Sequence, residues 1–108
     1  MQTLIQDSTV EWTDLGAGIK RKIMAYNDSM MLVKVAFESG AVGVLHQHPH
    51  TKASYVSKGV FDISIDGVTT RLHAGDVYFV PSELIHGAVC IESGELVDVF
   101  SPMREDFV

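Results

Sequence analysis

At 108 residues and 46% hydrophobic side chains, the chain has the size of one domain with enough apolar material for a core. Its formal charge of −6, with no basic run beyond Lys20-Arg21-Lys22, argues against nucleic acid or an anionic membrane as partner. The one cysteine excludes an internal disulfide and fits a reducing compartment. No apolar run nears the ~20 residues of a membrane span, and the start lacks a basic, apolar leader, so a cytoplasmic location is expected.

Residues 1–18 read as an N-terminal arm, with Trp12 expected in the core or at a subunit contact. A first strand is expected over 19–25. Because side chains alternate along a strand, the members of Lys20-Arg21-Lys22 face opposite ways, and the run reads as a mostly solvated edge. Asn27-Asp28 supplies a turn. Residues 30–37, MMLVKVAF, form a second strand, too short and too near the next turn to favour a helix.

Glu38-Ser39-Gly40 leads into a strand that carries His46, His48 and His50. Residues 54–57 leave it. Residues 60–65 alternate, with Phe61, Ile63 and Ile65 on one face. Asp66-Gly67 is a two-residue hairpin signal, and 68–73 return. Residues 77–80 form a strand that stops at Pro81. His86 opens another, to Ile91; Ser93-Gly94 reads as a turn, and 95–100 as the last long strand. The tail is expected to make one helical turn, with Ser101 as cap and Pro102 at the first position. Many short strands with glycine turns and no convincing helix make an all-β barrel or sandwich.

Imidazole is the commonest protein ligand for a metal. Residues two apart on a strand share a face, so His46 and His48 form one pair. Pro49 interrupts the ladder and leaves His50 outside it. His50 and His73 are read as bystanders. His86 is the candidate third ligand. Three neutral imidazoles bind zinc, nickel, iron or manganese and leave positions open for water or substrate.

In Leu96-Val97-Asp98-Val99-Phe100, Asp98 shares a face with Leu96 and Phe100. A carboxylate amid apolar neighbours is costly unless paired or hydrogen-bonded, which makes Asp98 a candidate general acid or base. Arg104 carries a fork that suits a substrate carboxylate. Its other reading is an ion pair with Glu105 or Asp106.

The spacing Gly40, five residues, His46-x-His48, three residues, position 52, six residues, Gly59 resembles the first motif of the cupin family. Gly75, five residues, Pro81 and His86 resemble the second. The resemblance implies a cupin double-stranded β-helix, a jelly-roll-like small barrel, as one domain over 1–108 with a metal in its mouth. It implies a homodimer as well. The chain departs from the pattern at Lys52, where the family has a carboxylate or amide ligand. A protonated amine has no lone pair and repels a cation. Glu83 stands where glycine is usual, and Cys90 where asparagine is.

Trp12-Thr13-Asp14-Leu15-Gly16, HQHPHT and the closing DVFSPMREDF narrow the resemblance to the KdgF-like cupins of pectin and alginate breakdown. That group converts 4,5-unsaturated uronate monomers to the linear 5-keto-4-deoxyuronate. By this resemblance His46, His48 and His86 hold a divalent metal, Asp98 and Arg104 act on the uronate, and Phe100 shapes its pocket. Lys52, as an ammonium, would bind the uronate carboxylate. Two alternatives stay open on sequence: a non-catalytic sugar-binding or regulatory cupin, and a three-histidine iron dioxygenase.

Overall fold

The computed structural model describes residues 2–108; it is built from β-strands, as expected. The strands are β1 (Thr13–Gly16), β2 (Ile19–Asn27), β3 (Met30–Phe37), β4 (Val42–His46), β5 (Thr51–Ile65), β6 (Val68–His73), β7 (Val77–Val80) and β8 (His86–Ser101). All pairings are antiparallel.

Two long strands organise the rest. The first half of β5 pairs with β7 and with the second half of β8, which in turn pairs with β3. The second half of β5 pairs with β6 and with the first half of β8, which in turn pairs with β4. β5 and β8 thus serve two sheets: β1-β2-β3-β8-β5-β7 and β4-β8-β5-β6. This is the two-sheet arrangement of a small jelly-roll barrel.

The change of sheet occurs where Gly59 and Gly94 cross. Register slips between Val56 and Phe61 as β5 bends. A Cβ on Gly59 would stand 2.5 Å from the Glu92 carbonyl and 2.7 Å from the Gly94 Cα, and the Gly59 φ is +83°. Only a residue without a side chain fits there. Ser93-Gly94 is therefore not a turn: β8 runs through it, and the two strands expected on either side are one. Residues 54–57 and 60–65 are likewise one strand.

The Asp66-Gly67 hairpin forms as read, with φ of +49° and +83° at its two central residues, the signs of a type I′ turn. Asn27 closes the β2–β3 turn, its Oδ1 accepting the Ser29 amide at 2.8 Å. The tail differs from expectation. Ser101 ends β8 and donates its hydroxyl to the Ser29 carbonyl at 3.0 Å, and the tail's turn of helix is a 3-10 turn at Glu105–Phe107, after Arg104. The capping site moves because β8 extends through Ser101.

The arm, too, is more ordered than a sequence without periodicity suggests. It holds a 3-10 turn at Asp7–Thr9 and the strand β1. Lys22, buried rather than solvated, donates to the Asp7 carbonyl and to its Oδ1 at 3.1 and 3.2 Å. Lys34 reaches the same carboxylate at 3.0 Å. These bonds hold Asp7 below the usual carboxylate range. Trp12 is half-buried, with the Lys20 and Lys22 ammoniums 4.9 and 4.8 Å from its ring. It is a platform for lysines and not part of the hydrophobic core.

The main core gathers Phe37, Val56, Phe61, Ile63, Val80, Cys90 and Leu96. Phe61 is wholly closed to solvent and meets Phe37 edge to face at 5.2 Å. Burying one such ring is worth about 1.5–3 kcal/mol. Met31, Val33 and Phe100 form a second cluster, backed by Met103 and Phe107 from the tail. Leu96, Asp98 and Phe100 alternate inward along β8, as expected from the sequence.

Candidate metal centre and cavity

His46 ends β4 and stands directly across from His86, the first residue of β8, with ring centroids 4.3 Å apart. Cross-strand neighbours are the closest side-chain pairs a sheet can make. Strand register, not sequence proximity, brings His86 to this place. His48 arrives differently from the expectation. It lies in the loop after β4, so it does not share a strand face with His46. The loop is held by the Glu83 amide, which donates to the His48 carbonyl at 2.8 Å. Glu83 adopts a φ of +70°, the left-handed region, at the position where the motif has glycine. The His48 ring lies 5.5 Å from His46 and 4.8 Å from His86, centroid to centroid.

Each of the three rings spends Nδ1 on a backbone carbonyl: His46 on Val44 at 2.8 Å, His48 on His50 at 3.0 Å, His86 on Leu84 at 2.9 Å. A carbonyl only accepts, so each Nδ1 carries the proton and each neutral ring keeps its lone pair on Nε2. Nε2 of His48 and of His86 is buried with no hydrogen-bond partner. The candidate ligand nitrogens of the three lie within 4.8 Å of one another. Burial, with the Arg104 guanidinium adding to it, lowers the His48 pKa to about 4. Burial also lowers His86 to about 4, helped by the Lys52 ammonium. Unpaired buried acceptors are rare, and three converging lone pairs with carbonyl-fixed tautomers are what a divalent metal needs. The residues fit a metal site.

His50 stays outside the cluster. Its Nε2–H donates to the Glu105 carboxylate at 3.4 Å, and its carbonyl orients His48. His73 is exposed on β6.

Across the cavity from the histidines, register sets a second group. Asp98 lies opposite Ser54 on β5, and Ser54 opposite Tyr78 on β7. Ser54 donates to Asp98 Oδ1 at 2.6 Å. Lys52, one step along β5 on the same face and opposite Phe100, places its ammonium 3.7 Å from Asp98 Oδ2. Burial works against the Lys52 ammonium, but the Asp98 carboxylate and the Tyr78 phenol outweigh it and hold its pKa above the ordinary lysine value. Tyr78 is raised by burial. Ser54 and Tyr78 carry no local signal in the sequence; only the pairing of β5 with β8 and β7 identifies them.

His46, His86 and the Asp98 carboxylate face one cavity of about 160 Å³, whose walls also include Lys52, Tyr78 and Phe100. Arg104 also lines it, with its guanidinium 5.2 Å from the Phe100 ring. Its fork is engaged by Asp106, at 3.0 and 2.8 Å. Arg21 is the residue the sequence misplaced: read as part of a solvated edge, it points from β2 into the same cavity.

Comparison with known proteins places this geometry. The family model described as a cupin domain matches residues 33–100. The pectin degradation protein KdgF of Dickeya dadantii (strain 3937) is 41% identical over the whole of both chains. The structure of KdgF from Halomonas sp. superposes with a TM-score of 0.94 at 39% identity, all of each chain being covered. An RmlC-like cupin from Shewanella frigidimarina NCIMB 400 superposes with a TM-score of 0.97 at 44% identity, covering all of this chain and 97% of that one.

Proposed function

The chain belongs to the cupin family and to its KdgF group, and from that membership we propose that it converts 4,5-unsaturated uronate monomers, left by pectin or alginate breakdown, to linear 5-keto-4-deoxyuronate. One observation carries the reading: in a chain 41% identical to KdgF, three imidazoles converge, and two of them, His46 and His86, line one cavity with the buried Asp98 carboxylate.

His46, His48 and His86 hold a divalent ion; an all-nitrogen donor set suits nickel, zinc or iron more than manganese. Bound there, such an ion supplies Lewis-acid charge that orients sugar oxygens. Asp98 moves the proton. It stands at the cavity wall, with Ser54 and Lys52 fixing its two oxygens. Water adds across the enol ether, with hydrogen to C4 and hydroxyl to C5. The hemiketal then opens by breaking the bond from C5 to the ring oxygen. The C1 hydrate releases water, so the sequence is a net isomerisation. Phe100 shapes the wall, and Lys52 and Arg104 offer positive charge to the uronate carboxylate. Positioning plus one proton-transfer group is a modest demand, typically about 10²–10⁴ in rate.

One cupin domain, residues 1–108, carries this activity in the cytoplasm. It works as a homodimer. What supports pairing is β4: Val44 and Leu45 are exposed, and among the described residues its only strand partner is β8, which leaves one edge open.

The test follows the ultraviolet absorbance of the conjugated double bond in lyase-generated unsaturated monouronate. Loss well above the spontaneous rate is expected. Loss at the background rate removes the enzyme reading. It would then favour a binding cupin, for which the Lys52–Asp98 ion pair is the specific observation.

A further inference from the structure

Arg21 is a charge without a counter-ion. It is the third residue of β2, opposite Val35, which is itself opposite Leu96, so its side chain shares the inward face of the first sheet. Its guanidinium carbon lies 3.9 Å from the Phe107 ring centroid, and that of Arg104 lies 4.3 Å from the same centroid. Among the described residues, no carboxylate hydrogen-bonds to Arg21 or lies within ion-pair distance of it; Asp106 acts on it only at longer range. Arg104, by contrast, is already forked onto Asp106.

The chain as a whole carries −6, yet this cavity is positive. Lys52, Arg21 and Arg104 meet only Asp98 and Asp106. Burial and the neighbouring Arg104 both act against the charge on Arg21, and an anion between the two guanidiniums would relieve both. Both guanidiniums pack on the Phe107 ring, and Arg104 is near enough to act on the Arg21 charge.

We propose that Arg21 is a substrate-binding residue: with Arg104 it forms a two-arginine seat for the carboxylate of the sugar acid, over the Phe107 ring. This rests on the uronate reading of the site and adds to it the residue that selects acid over neutral sugar.

The experiment uses the full chain and two stable probes: D-galacturonate, which has the carboxylate but no double bond, and D-galactose, its neutral counterpart. Calorimetric affinities are measured for wild type, Arg21→Gln and Arg21→Lys, alongside turnover of unsaturated monouronate and melting temperatures. Expected is at least a tenfold loss of galacturonate affinity in Arg21→Gln, a matching rise in KM with kcat little changed, and partial recovery in Arg21→Lys. Galactose binding stays as weak in the variants as in wild type. Wild-type galacturonate affinity in Arg21→Gln overturns the seat while leaving the enzyme reading standing. So does a loss in kcat alone. Wild-type protein that neither binds galacturonate nor turns over the unsaturated uronate overturns both. If Arg21→Gln unfolds, Arg21→Lys decides alone, since it keeps the charge over Phe107 but not the fork: unchanged galacturonate affinity overturns the seat, and a severalfold loss with kcat retained supports it.

Discussion

Lys52 holds its ammonium 3.7 Å from Oδ2 of Asp98, and both side chains are nearly closed to solvent, at 9% and 7% exposure. Position 52, where the family motif has a metal ligand, is in this chain the cation of a buried ion pair. Breaking such a pair by removing one partner costs about 3–5 kcal/mol, because the other charge is left uncompensated. Lys52→Met is expected to lose stability of that order in denaturant unfolding. Lys52→Met with Asp98→Asn should recover much of it. A single variant as stable as wild type would show that the pair is not held together in solution.

Asp98→Asn separates chemistry from metal binding. The amide still accepts the Ser54 hydroxyl through its oxygen, and no candidate ligand nitrogen is touched. Turnover of unsaturated uronate is expected to fall by about 10²–10⁴, the usual worth of one proton-transfer group. Metal content by elemental analysis should match wild type. Undiminished turnover would remove Asp98 from the role of acid or base.

The histidine cluster makes stability depend on pH in a stated direction. His48 and His86 have folded-state pKa values of about 4, below their ordinary 6.5. Between those values the unfolded chain takes up protons at these rings and the fold does not. Stability of the metal-free protein is therefore full above about pH 6.5 and falls as pH drops toward about 4. Denaturant midpoints measured across that window should decline toward acid, and His86→Gln should show a shallower decline. Adding zinc or nickel near neutral pH should raise the wild-type melting temperature and barely move that of His86→Gln.

The Arg104–Asp106 fork is inexpensive to open. Asp106 is 58% exposed and regains water when the fork opens, while Arg104 is 13% exposed, which puts the pair at the upper end of the about 0.2–1 kcal/mol of exposed pairs. A substrate carboxylate can displace it at that cost. Asp106→Asn is expected to lower KM by up to about fivefold, with kcat unchanged. A raised KM in steady-state kinetics would mean that Asp106 orients Arg104 and does not compete with the ligand.

Much of this protein is local. The alternation of Phe61, Ile63 and Ile65, the Asp66-Gly67 turn and Pro81 closing β7 were legible because each depends on backbone preference or on a period of two. Cupin spacing marked His46, His48 and His86, and the inward set of Leu96, Asp98 and Phe100 followed from alternation alone. Ser93-Gly94 misled, because glycine marks a turn and a close backbone crossing equally well; only the approach of Gly59 on another strand distinguishes them. The tail misled because nothing nearby shows that β8 continues to Ser101.

Which residue types are present, their strand character and the histidine spacing were thus determined by the chain itself. The partners were decided only by the folded sheets: His86 across from His46, Ser54 and Lys52 on Asp98, Arg21 and Arg104 over Phe107. The reason is register. A strand settles which residues share a face, but which residue of a distant strand lies opposite is set by where the two sheets bend and pair, and a shift of one residue would turn the strand-borne side chains among these away.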